Sequence, residues 1–102
     1  MANRQLIIPL AQLEKFCRPY PIRKLSLFGS ALRENFGPDS DIDILVEFEP
    51  EARIDFFDVV TIEMGLTEIM GRQVDLRTPE ELSRYFRQEV LDRAEVLYER
   101  AG

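Results

Sequence analysis

The spacing of apolar residues changes period several times along the chain, and each change marks an element. About Pro9 to Cys17 has helical spacing, and the two prolines of Arg18-Pro19-Tyr20-Pro21 end that segment in a turn. Lys24 to Phe28 predicts a short apolar strand broken by Gly29. Ser30 to about Phe36 predicts a helical turn or two, stopped by Gly37-Pro38. From Asp41 to Phe48 the period drops to that of a strand. Ile42, Ile44, Val46 and Phe48 share one face, and Asp41, Asp43, Leu45 and Glu47 share the other.

Helical spacing returns after the Pro50-Glu51 loop. Asp55 predicts the N-cap of a helix reaching about Met70, with Phe56, Val59, Val60, Glu63, Leu66, Ile69 and Met70 as its stripe and Gly71 just beyond. Gln73 to Arg77 predicts another short strand. Thr78-Pro79-Glu80-Glu81 has the form of a capping box with proline at the first helical position. It predicts a final helix striped by Leu82, Phe86, Val90, Ala94 and Leu97. Strands separated by helices in mixed order predict an α/β (α+β) fold with a small mixed sheet of three to four strands, residues 1–102 forming one domain.

Composition narrows the chemistry. No apolar run approaches the roughly 20 residues of a membrane span, and the N-terminus has no long apolar core of a signal peptide. Cys17 is the single cysteine, which excludes an intramolecular disulfide and fits a cytoplasmic protein. The net charge of −6 argues against direct binding to a nucleic-acid backbone. Of 13 basic residues only Lys15 and Lys24 are lysines, leaving 11 arginines suited to bidentate phosphate or carboxylate pairing. With no histidine, carboxylates must carry any acid–base or metal chemistry.

Asp41 and Asp43 supply such carboxylates. Two apart on a strand, they leave the same face with Cα atoms roughly 6–7 Å apart. Turned inward, they would repel unless a cation or proton intervened, and Mg²⁺ takes oxygen ligands of this kind. A solvated pair at a strand entry is the plainer reading of the two aspartates alone. Gly29-Ser30 alters it: a glycine after a strand lets backbone approach a ligand, and a serine opening a helix offers N–H groups to an anion. Asp75, between Val74 and Leu76, is a third carboxylate on a strand that could pair beside the first.

Gly29-Ser30, ten intervening residues and then Asp41-Ile42-Asp43 resemble the GSx10DxD signature of DNA polymerase β-like nucleotidyltransferases, and Asp75 matches the later third carboxylate. Ser40–Phe48 (SDIDILVEF) and Val74–Leu82 (VDLRTPEEL) resemble the minimal nucleotidyltransferase branch, whose members are antitoxins paired with HEPN-domain toxins. The resemblance covers the chain from about Lys24 onward. It implies ATP as substrate, its phosphates at Gly29 and Ser30 with help from Arg33, and two Mg²⁺ ions on Asp41, Asp43 and Asp75. Asp75 would serve the ion that activates the acceptor or act as the base. The acceptor implied is a tyrosine hydroxyl of the HEPN toxin, silenced by AMPylation. Two other readings stay open: a binding module that neutralises its partner by masking, and a small-molecule nucleotidyltransferase. Glu63, within the stripe of its helix, could face the site but is read rather as a partner-facing or partly exposed residue, and Cys17 as a small buried apolar one.

Overall fold

The computed structural model describes residues 8–29 and 41–100. Helix α1 (Leu10–Cys17) leads into strand β1 (Ile22–Phe28); β2 (Ile42–Phe48), helix α2 (Phe56–Met70) and β3 (Val74–Arg77) follow. A short 3₁₀ turn (Pro79–Glu81), helix α3 (Arg84–Arg93) and β4 (Glu95–Glu99) complete the chain. The expected helix after Gly29 lies outside the described residues.

The four strands form one mixed sheet in the order β3-β2-β1-β4. β1 runs antiparallel to both neighbours, and β2 and β3 run parallel. That parallel pair needs a crossover, and α2 provides it. The period-two pattern of β2 sends Ile42, Ile44 and Val46 into the core beside Leu25 and Leu27 of β1, Val74 and Leu76 of β3, and Ile62 and Leu66 of α2. Leu45 is equally buried but points to the face that carries Asp43, so both faces of the sheet are covered there.

α2 has the predicted bounds because both its ends carry their own signals. The Asp55 carboxylate accepts from the Asp58 N–H at 2.9 Å, and the Asp58 carboxylate accepts from the Asp55 N–H at 3.1 Å. Gly71 ends the helix in the left-handed region, φ 71°. The buried stripe is Ile62, Leu66 and Met70; Phe56, expected within it, is 74% exposed.

The C-terminal segment differs from its predicted single helix. The Pro79–Glu81 turn ends at Leu82, whose extended backbone breaks the helix, and α3 begins only at Arg84 and buries none of its residues. Leu97 lies in β4, not on a helix, and joins the core through pairing with β1. The helical spacing of Leu82, Phe86, Val90 and Ala94 continues past the point where an unpaired edge of β1 captures the chain. The Arg100 N–H closes that edge by donating to the Arg23 carbonyl at 2.8 Å.

Candidate active site

Sheet register brings the first two candidate groups together. Asp43 of β2 lies opposite Phe28 of β1, and Gly29 follows Phe28 directly. Gly29 has φ 68°, a left-handed conformation that side chains resist. A Cβ there would overlap Asp43 Oδ2 and stand only 3.1 Å from Asp43 Cγ. Glycine is therefore required twice at this position, by the backbone and by the carboxylate it leaves room for.

On its other side, Asp43 is the direct register partner of Asp75 in the parallel β2–β3 ladder. The Ile42 N–H sets that register by donating to the Gln73 carbonyl at 2.9 Å. Partners on neighbouring strands share a face about 4.8 Å apart, so the half-buried Asp43 carboxylate has the Asp75 side chain beside it. Asp41 sits one residue before β2 and is exposed. Among the described residues, no group of three or more His, Cys, Asp or Glu side chains stands close enough to hold a metal ion. The structure thus brings Asp43 and Asp75 together, next to Gly29, and leaves Asp41 at the rim. Ser30 and Arg33 lie outside the described residues.

Asp75 is not alone on its strand. Arg77, two residues on and so on the same face, grips it with both arms: Nε stands 3.1 Å from Oδ1 and Nη2 donates to Oδ2 at 3.3 Å. The hydrogen bond to Asp75 raises the Arg77 pKa most, its charge next, with Glu81 and Asp43 adding to the effect. Arg77 was not among the residues singled out from the sequence, although the i, i+2 spacing of Asp75 and Arg77 in a strand would have placed them on one face.

β3 is an edge strand, and α2 covers its open edge with side chains. Glu63 Oε2 accepts from the Leu76 N–H at 2.8 Å, and Thr67 Oγ1 accepts from the Val74 N–H at 3.1 Å. Glu63 is therefore partly exposed, as expected, while its carboxylate turns to the strand that carries Asp75.

From Asp75 a cleft of about 530 Å³ opens between α2 and the end of β3. Phe48, Ile54 and Val59 give it an apolar wall, and Glu63, Asp75 and Arg77 a polar one. Gly29 and Asp43 do not line it, so two regions meet at the Asp43–Asp75 pair. Cys17 is remote from nucleophilic chemistry. Burial pushes its thiol up to about 11 despite the opposing charge of Arg100.

Paired carboxylates are hard oxygen donors suited to a divalent cation, and the missing Cβ at Gly29 lets its backbone lie directly against the Asp43 carboxylate. The donor set fits Mg²⁺ in its chemistry.

The family described as "Polymerase beta, Nucleotidyltransferase" matches residues 11–101. A Methanocaldococcus jannaschii protein, provisionally named as a protein adenylyltransferase, is 33% identical over 73 residues, 72% of this chain and 76% of the relative. The chain spans 56–59% of the length of four further relatives. Among solved structures, a toxin–antitoxin crystallised with AMP-PNP superposes with TM-score 0.71 at 22% identity, over 91% of this chain and 75% of that one. A structure of a tri-AMPylated Shewanella oneidensis HEPN toxin in complex with its MNT antitoxin gives TM-score 0.61 at 22% identity, over 89% and 70%. At these identities the structural matches establish a shared fold.

Proposed function

The chain belongs to the polymerase beta nucleotidyltransferase family, and from that premise we propose that it transfers AMP from ATP to a tyrosine hydroxyl of a HEPN-type toxin, acting as the antitoxin of the pair. The observation that carries the reading is the Asp43–Asp75 register, a carboxylate pair with the Gly29 backbone against Asp43 and a cleft opening from Asp75. The names of the M. jannaschii relative and of the S. oneidensis complex support a protein acceptor.

In this proposal Gly29 and Ser30 receive the triphosphate, with Arg33 reaching its oxygens. Asp41, Asp43 and Asp75 would hold two Mg²⁺ ions, which when bound neutralise phosphate charge and make the acceptor hydroxyl more acidic. The acceptor enters from the cleft side, so that its oxygen meets the α-phosphorus opposite the leaving pyrophosphate. A new O–P bond forms as the bond to the β-phosphate oxygen breaks. Asp75, on the cleft wall, would either ligate the ion that activates the hydroxyl or take the hydroxyl proton as the base.

The test is to incubate the chain with its HEPN partner, Mg²⁺ and α-labelled ATP. Labelling of the partner, lost in Asp41→Ala and Asp43→Ala variants that still form the complex, supports the proposal. Both variants neutralising the toxin as fully as wild type would show that masking, not transfer, is the function.

A further inference from the structure

Asp75 faces the site from β3, an edge strand of the sheet that pairs with another strand on one side only. On its inner side β3 is held by β2. On its open side, the N–H groups that flank Asp75, those of Val74 and Leu76, would face solvent or a foreign strand. Both are instead taken by α2: Leu76 by Glu63 at 2.8 Å and Val74 by Thr67 at 3.1 Å. Glu63 and Thr67 are four apart, one turn of helix, and Val74 and Leu76 are two apart, one strand repeat; the two spacings match at roughly 6 Å. The helix thus brackets Asp75 from both neighbours in the chain.

A glutamate at this point of α2 is otherwise hard to explain. It is half-buried, and it sits one residue after the fully buried Ile62.

We infer that Glu63, with Thr67 in support, is a positioning residue for the site: by locking the free edge of β3 it fixes the Asp75 carboxylate in register with Asp43. The inference rests on the carboxylate pair being a divalent-cation site, as proposed above. Groups that orient metal ligands without touching the metal contribute about 10–100-fold to affinity, and Glu63 acts on Asp75 in that manner through the Leu76 backbone.

Mn²⁺ binding to the full chain, read from the free-ion EPR signal, tests this alongside amide exchange at Leu76. Glu63→Ala should speed Leu76 exchange and weaken Mn²⁺ binding by about 10-fold or more. Glu63→Gln, which keeps an acceptor oxygen, should restore both. In an Asp75→Asn background Glu63→Ala should cause no further loss of Mn²⁺ affinity, because the residue it positions is gone. Thr67→Val keeps the side-chain volume while removing the acceptor at Val74, and provides a second reading if Glu63→Ala folds poorly; it should weaken Mn²⁺ binding in the same direction. Wild-type Mn²⁺ affinity in both Glu63→Ala and Thr67→Val, with Leu76 or Val74 exchange accelerated, overturns the inference and leaves the metal site standing. Equal damage from Glu63→Gln and Glu63→Ala overturns it as well, since charge rather than the accepted hydrogen bond would then matter. Absence of Mn²⁺ binding in wild type overturns both the inference and the reading on which it rests.

Discussion

Two glycines with nearly equal positive φ allow the site's packing to be separated from its backbone. Gly29 and Gly71 have φ of 68° and 71°. Alanine at either forces a side chain into the left-handed region, at about 1–2 kcal/mol. At Gly71 an added Cβ meets nothing within 4 Å, so that strain is the whole cost. At Gly29 the Cβ overlaps Asp43 Oδ2 and crowds Asp43 Cγ at 3.1 Å and Asp43 Cβ at 3.2 Å. The carboxylate must rotate away from its well, adding about 0.5–1.5 kcal/mol. Gly29→Ala should therefore lose about 1.5–3.5 kcal/mol of stability in urea unfolding against about 1–2 for Gly71→Ala. Activity should separate the two far more. A carboxylate displaced by about 1 Å costs on the order of a hundredfold in rate, so Gly29→Ala should lose nearly all AMP transfer at temperatures where it is folded, while Gly71→Ala keeps it. If Gly29→Ala matched Gly71→Ala in both stability and transfer, Asp43 would not be confined by Gly29 and the account of this side of the site would be wrong.

Ile62→Ala, in the buried stripe of α2, should destabilise by about 2–5 kcal/mol, whereas Phe56→Ala at a 74% exposed position should cost under about 0.5 kcal/mol; thermal melts of the pair check the corrected stripe. Cys17 is neutral in the fold up to about pH 11 but ionises near 9.0 when exposed, so its burial contributes stability that is intact below pH 9 and is lost as pH rises toward 11, by about 2–3 kcal/mol. Cys17→Ala should flatten that decline in a pH series of unfolding curves, whatever it does to stability at neutral pH. Arg77→Ala, which removes a half-exposed ion pair, should change stability by less than about 1 kcal/mol, yet it frees both oxygens of Asp75 and should tighten Mn²⁺ binding. Unchanged or weaker Mn²⁺ affinity in that variant would show that the guanidinium does not compete for the carboxylate.

Local chemistry is what the sequence determined by itself. The limits of α2 were readable because Asp55, Asp58 and Gly71 act within a turn of the backbone they cap. The faces of β2 were readable because alternation needs no knowledge of the neighbouring strand. The candidate aspartates stood out because a carboxylate in an apolar strand is costly without a reason.

Long-range pairing decided the rest. Residues 95–99 lie within a helical pattern, but the open edge of β1 offers a ladder of hydrogen bonds, and the chain takes it as β4. Local propensity was the weaker term there. No spacing could place Asp75 opposite Asp43, because 31 residues lie between them and only the crossover through α2 and the parallel register bring them together. The same crossover turns Glu63 onto the edge beside Asp75. Types of residue and local ends are set by interactions a few positions apart; which carboxylates meet is set by how the sheet closes.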